Sequence, residues 1–133
     1  MADARFLLAL GQFDSALARL REVVAMAESE VVRDALIQRF EFTFEAGWRA
    51  AYRWLRAQGA DVPEEAFAVM PRAFANRLLA NEGEWNEMRK KRNLTSHTYN
   101  QALAVEVAGF VRATGLRCFE ELLATLKVRA DET

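Results

Sequence analysis

One cysteine, one histidine and two prolines in 133 residues leave few covalent or metal-based ways to fix this chain. With Cys118 alone no internal disulfide can form, which suits a reducing compartment. The nearby Leu116, Phe119 and Leu122 predict a buried thiol, raised in pKa and inert rather than catalytic. His97 has no cysteine or aspartate cluster around it, so no zinc site is expected, nor any other metal or cofactor. Net charge is scarce too. At −1 there is no global field to draw nucleic acid or an acidic membrane, so any basic feature must be local. Long apolar runs are missing: the opening Phe6 to Leu10 is followed too soon by Gln12, Asp14 and Arg19 for a spanning helix or a secretory leader. The expectation is a cytoplasmic protein without a membrane partner. Strand alternation, internal repeats and low-complexity segments are also absent, which leaves an all-α chain of one domain, residues 1–133.

What is present is helical periodicity. Phe6, Leu10, Phe13, Leu17, Leu20 and Val24 step alternately by four and three, the stripe of an amphipathic helix that fades near Met26 and Ala27. Ser29 reads as the N-cap of a longer helix, Glu30 to about Gln58, stopped by Gly59. Leu36, Ile37, Phe40, Phe44, Gly47, Trp48, Ala51, Trp54 and Leu55 give it a wide apolar stripe, with Phe42 and Tyr52 on either side. A helix apolar on two sides is buried on two sides, either within one bundle or against a second copy. Gly47 permits a close neighbour there. Glu41 and Glu45, one turn apart, read as solvated or paired with arginines.

Gly59 to Pro63 reads as a turn, with Pro63 opening a short helix beside Glu64 and Glu65. Pro71 ends it and starts another, roughly Arg72 to Leu79, with Phe74 and Leu78 pointing inward. After a loop at Asn81, Glu82 and Gly83, a helix from near Glu84 carries Trp85, Met88 and Arg92 on one line. From Gln101 a last helix places Leu103, Val107, Phe110 and Val111, then Leu116, Phe119, Leu123 and Leu126. Gly109 and Gly115 bend it or admit a close neighbour, and Asp131 to Thr133 form a polar tail.

The chemistry concentrates between Met88 and Asn100, where Arg89, Lys90, Lys91 and Arg92 precede the lone His97. In a continuous helix Arg89, Asn93 and His97 would stack, whereas Arg92 and His97 would lie about 140° apart. They converge only if the helix ends or tightens near Thr95 and Ser96, or if two chains pool their sites. Thr95, Ser96 and Thr98 compete for backbone hydrogen bonds, so an end there is reasonable. Given convergence, the imidazole could move a proton at a ribose 2′-hydroxyl or a leaving 5′-oxygen, and the guanidinium could hold phosphate oxygens. The same residues could also merely bind a nucleotide phosphate.

Arg92-Asn93-Leu94-Thr95-Ser96-His97-Thr98-Tyr99 resembles the signature of HEPN-domain proteins, an arginine and a histidine separated by four residues. The tyrosine two after the histidine matches one branch. Phe40-Glu41-Phe42-Thr43-Phe44-Glu45-Ala46-Gly47-Trp48 resembles that branch's aromatic second helix, and Pro71 to Phe74 and Glu84 to Met88 fit the approach to the signature. The branch comprises nucleotidyltransferase substrate-binding proteins and HepT-like toxins paired with minimal nucleotidyltransferase antitoxins. The resemblance implies an antiparallel, up-and-down bundle of four to five helices, and a homodimer with facing signatures. It implies metal-independent RNA cleavage in active members, silenced when a cognate minimal nucleotidyltransferase adds AMP to the motif tyrosine. On that basis Arg92 is the phosphate clamp, His97 the general acid and base, and Tyr99 the AMPylation target, with Arg89, Lys91, Asn93 and Ser96 binding. Lys91 departs from the acidic residue often found before the arginine, which favours an anionic ligand. The first reading is a homodimeric ribonuclease toxin acting on RNA. The alternative is a non-catalytic subunit binding a nucleotide or other substrate for a separate nucleotidyltransferase.

Overall fold

A computed structural model describes residues 2–132, and Thr133 of the expected polar tail lies outside them. Among the described residues there are six α-helices: α1 (Ala4–Val24), α2 (Glu30–Ala57), α3 (Ala66–Ala75), α4 (Glu82–Leu94), α5 (Gln101–Phe110) and α6 (Leu116–Asp131). The fold is all-α, and no strand occurs among the described residues. No helix among them is long and apolar enough to cross a membrane.

Cross-helix partners fix the directions. The α1–α2 contacts pair Phe13 with Gly47, Ala16 with Thr43 and Arg19 with Arg39, numbers that rise on one helix as they fall on the other. Asp14–Lys127 and Arg21–Glu120 run the same way between α1 and α6. Glu84–Arg117 and Lys91–Glu106 do so between α4 and the α5–α6 rod. The result is an antiparallel bundle whose centre is Phe119. Its ring lies 6.2 Å from Phe13, 6.0 Å from Phe40 and 5.9 Å from Trp85, so α1, α2, α4 and α6 meet on one side chain.

The ends of α2 follow the sequence: Ser29 accepts the Val32 amide at 3.1 Å, and Gly59 turns the chain at φ 90°. A Cβ on Gly47 would lie 3.1 Å from Phe13, so this glycine does seat a close neighbour. Leu36, Ile37, Phe40, Phe44, Trp48, Trp54 and Leu55 are all buried within the one chain. The α2 stripe is therefore buried as that of a central helix, while Phe42 and Tyr52 on either side of it are only half-buried. The first stripe ends one residue early, on buried Val23, while Val24 is only half-buried.

The segment around the prolines differs from expectation. Pro63 lies in the connection, Glu65 is the N-cap, and α3 continues through Pro71 to Ala75. Pro71 removes one amide and crowds the carbonyl four residues back, but Val69, Met70 and Ala73 bury a common stripe that holds the helix together. The helix stops with Arg77 at φ 61°, where the Leu78 amide donates to the Ala73 carbonyl at 2.8 Å and the Arg77 amide to Phe74 at 3.0 Å. That pair of bonds satisfies terminal carbonyls and turns Leu78 inward. Asn81 is likewise a cap, accepting the Glu84 amide at 3.0 Å, so α4 starts two residues before Glu84.

A π turn, Val111–Gly115, joins α5 to α6. Gly115 there faces Met88, whose sulfur would sit 3.6 Å from an added Cβ, whereas Gly109 faces open space. From the same turn Arg112 donates to the Val24 carbonyl at 2.7 Å and pairs with Glu28 at 3.1 Å, tying the rod to the end of α1.

Cys118 is buried beneath Glu84, its sulfur 3.8 Å from the carboxylate. Burial, then the adjacent Glu84 charge, pushes the thiol up to about 11. The unfolded chain releases this proton nearer pH 9, so stability falls as pH rises through the window between the two values. At pH 8 the native protein should hold roughly 100-fold less thiolate than the unfolded chain. Labelling by a disulfide reagent at pH 8 should accordingly be slower by about two orders of magnitude before denaturant is added than after. Equal rates in the two states would refute the buried thiol.

Candidate functional site

The polar segment breaks where its hydroxyls predict. α4 ends at Leu94 and a single tight turn, Thr95–His97, follows before Asn100 caps α5 through the Ala102 and Leu103 amides. Thr95 Oγ1 donates to the Arg92 carbonyl at 2.7 Å, Thr98 Oγ1 to Thr95 at 3.0 Å and Ser96 Oγ to Asn93 at 3.4 Å. These bonds draw on the carbonyls that another helical turn would need.

Arg92 turns inward, towards α2. Its Nη1 donates to Thr95 Oγ1 at 2.9 Å and lies 3.6 Å from Glu41, while Nε stands 3.4 Å from Glu45. Glu45 also accepts the Trp48 indole N–H at 3.0 Å and lies 3.8 Å from Arg49. Glu41 and Glu45 are thus paired with arginine, one of the two roles their spacing allows. Two carboxylates compensate the guanidinium, and Nε is buried without a hydrogen bond of its own.

Arg92 and Glu45 together line two recesses. One, of about 300 Å³, is walled by Gln38, Glu41, Phe42, Glu45 and Arg92. The other is a wider groove of about 440 Å³ between α2, the start of α3 and α4, where Phe44, Phe67, Arg89, Lys90 and Asn93 join them.

His97 and Tyr99 line neither recess. They sit exposed at the corner between α4 and α5, their rings edge to face at 6.4 Å, with Tyr99 84% exposed. Within one chain the turn joins Arg92 to Thr95, and among the described residues no hydrogen bond links His97 to Arg92. Tyr99, expected as the AMPylation target, also lies outside both Arg92 recesses. Lys91 is mostly covered, between Glu87 at 3.4 Å and Glu106 at 4.0 Å and over the Phe110 ring. Lys90 and Lys91 together hold the Glu87 carboxyl below its ordinary range. Arg89, Asn93 and Ser96 are exposed, and the first two line the groove.

Phe67 is the groove residue that sequence patterning passes over. It lies off the Val69, Met70 and Ala73 stripe and is 63% exposed, and that mismatch was the available signal.

A family model described as nucleotidyltransferase substrate binding protein like matches residues 8–128. The chain belongs to this nucleotidyltransferase substrate-binding family. A Thermus thermophilus protein of known crystal structure shares 36% identity with this family member at a TM-score of 0.78, over 86% of this chain and 98% of that one. A Haemophilus influenzae protein, whose structure reveals the fold of a substrate-binding domain of a nucleotidyltransferase, shares 27% identity at a TM-score of 0.76. That match covers 89% of this chain and 98% of the other. Among curated proteins none matches. Membership of the substrate-binding family favours the second of the two readings drawn from the sequence.

Proposed function

We propose that this chain is the non-catalytic, substrate-binding subunit of a two-component nucleotidyltransferase, a single helical domain working in the cytoplasm. The observation that carries this reading is the separation of its polar residues. Arg92 is held by Glu41 and Glu45 inside a groove, while His97 stands outside that groove. General acid–base cleavage needs both groups on one phosphate, whereas binding needs only the groove. The similarity to the Haemophilus influenzae substrate-binding domain points the same way. Catalysis then belongs to a separate, small nucleotidyltransferase.

A second reading retains a specific observation. Tyr99 is 84% exposed beside His97, as an acceptor for AMP from a partner enzyme would have to be. On this reading the chain is a homodimeric HepT-like ribonuclease whose two signatures complete one RNA site, and AMPylation silences it. Intact-mass measurement after co-expression with a small nucleotidyltransferase encoded beside it separates the two. The substrate-binding reading expects a stable complex with Tyr99 unmodified. An AMP adduct on Tyr99 that Tyr99→Phe abolishes would favour the toxin, and failure to form any complex would overturn the two-component assignment.

A further inference from the structure

We infer that the α2–α3–α4 groove takes a mononucleotide, with its base on Phe67 and its phosphate on Arg89 and Lys90. This rests on the substrate-binding reading and names the class of substrate.

Phe67 is an exposed aromatic residue in the lining of the groove. A phenylalanine left 63% exposed in the first turn of a ten-residue helix forgoes burial that Val69 and Met70 achieve two and three residues later. Its ring nevertheless borders a recess rather than open surface, with Phe44 and Ala66 beside it. An exposed aromatic face in a concavity suits a planar ring, since stacking a base on such a side chain is worth about 1–3 kcal/mol.

The opposite wall is cationic. Arg89 and Lys90 line it from α4, and among the described residues Arg89 has neither a hydrogen bond nor an ion pair from its side chain. Lys90 is committed only to an exposed pair with Glu87 at 3.4 Å, which a phosphate could replace at little cost. α3 adds to this field, because no side chain caps its first amides, and Ala66 and Phe67 are the residues it sends to the groove. Asn93 supplies a neutral donor and acceptor between the walls. The one acidic group in the lining, Glu45, is paired with Arg92 and Arg49, so it does not repel an anion as a bare carboxylate would.

Size agrees. About 440 Å³ lies within the range of small-molecule sites and accommodates one nucleotide rather than a folded RNA. Apolar and cationic walls facing each other favour a ligand with both characters. Free phosphate would leave Phe67 unused, and a nucleoside would leave Arg89 unused.

Calorimetric titration of the whole chain with AMP, adenosine and inorganic phosphate tests this. AMP should bind at least about tenfold tighter than either part, a difference of about 1.4 kcal/mol. Phe67→Ala should weaken AMP about tenfold and leave phosphate unchanged. Arg89→Gln should weaken AMP and phosphate and leave adenosine unchanged, and Phe67→Trp, which keeps an aromatic face, should retain AMP binding. Both positions are exposed, and circular dichroism checks the fold of each variant. Equal affinity for AMP and phosphate, or AMP binding indifferent to Phe67→Ala, would overturn the inference. If the chain still binds its nucleotidyltransferase in that case, the substrate-binding reading stands and only the mononucleotide is wrong. Loss of nucleotidyltransferase binding in Phe67→Ala with no AMP affinity in wild type would make Phe67 a protein contact, which also overturns it.

Discussion

Phe119→Ala is expected to lower stability by about 3–5 kcal/mol and the melting temperature by on the order of 10–20 °C. The ring is fully buried and touches Phe13, Phe40 and Trp85, which come from three different helices. No single helix can shift to refill the space without losing its contact with the other two, so most of the cavity should persist. The loss should fall on the whole bundle at once, and chemical denaturation followed by circular dichroism and tryptophan fluorescence should report one coincident transition. Separate transitions would mean that the helices do not share one core.

Arg92→Ala should destabilise the protein by about 1–2 kcal/mol, a large effect for a residue that is partly exposed. Its removal leaves Glu41 and Glu45 facing one another one turn apart and deletes the bond to Thr95 that fastens the end of α4. Like charges at that spacing destabilise a helix. Glu45→Gln should give a smaller loss, and in the double variant the two losses should not add, because each removes the same pair. Arg92→Lys should recover only part of the stability, since an ammonium lacks the planar fork that reaches Thr95 and both carboxylates. An arginine kept only to clamp substrate phosphate would behave in the opposite way. Its removal would leave stability unchanged or improve it, as at sites held against local repulsion. Denaturant titration of the four variants beside the wild type distinguishes the two roles.

The helices were legible wherever apolar spacing and a cap coincided. Ser29 and Gly59 bound α2 almost to the residue, and the hydroxyls of Thr95 and Ser96 announced the end of α4. Pro63 and Pro71 misled because a local rule was weighed without tertiary packing: the buried Val69, Met70 and Ala73 hold α3 together across its proline. The excess apolar surface of α2 showed burial on two sides, but period alone does not distinguish a neighbouring helix from a second chain. The candidate site was legible as a segment and not as a geometry. Which way Arg92 points depends on Glu41 and Glu45, some fifty residues earlier, and no spacing rule links them to it. Lys91 belongs to the same lesson, since Glu106 and Phe110 that cover it arrive from the next helix.

Whether this chain is non-catalytic is decided by incubating RNA with excess purified protein in chelator and reading the products at single-nucleotide resolution. With Arg92 held by two carboxylates and His97 outside its groove, the RNA should remain intact at every protein concentration. Fragments ending in cyclic phosphate, produced by the wild type and lost in His97→Ala, would make the chain a ribonuclease. That result would mean that the two residues meet on one phosphate after all.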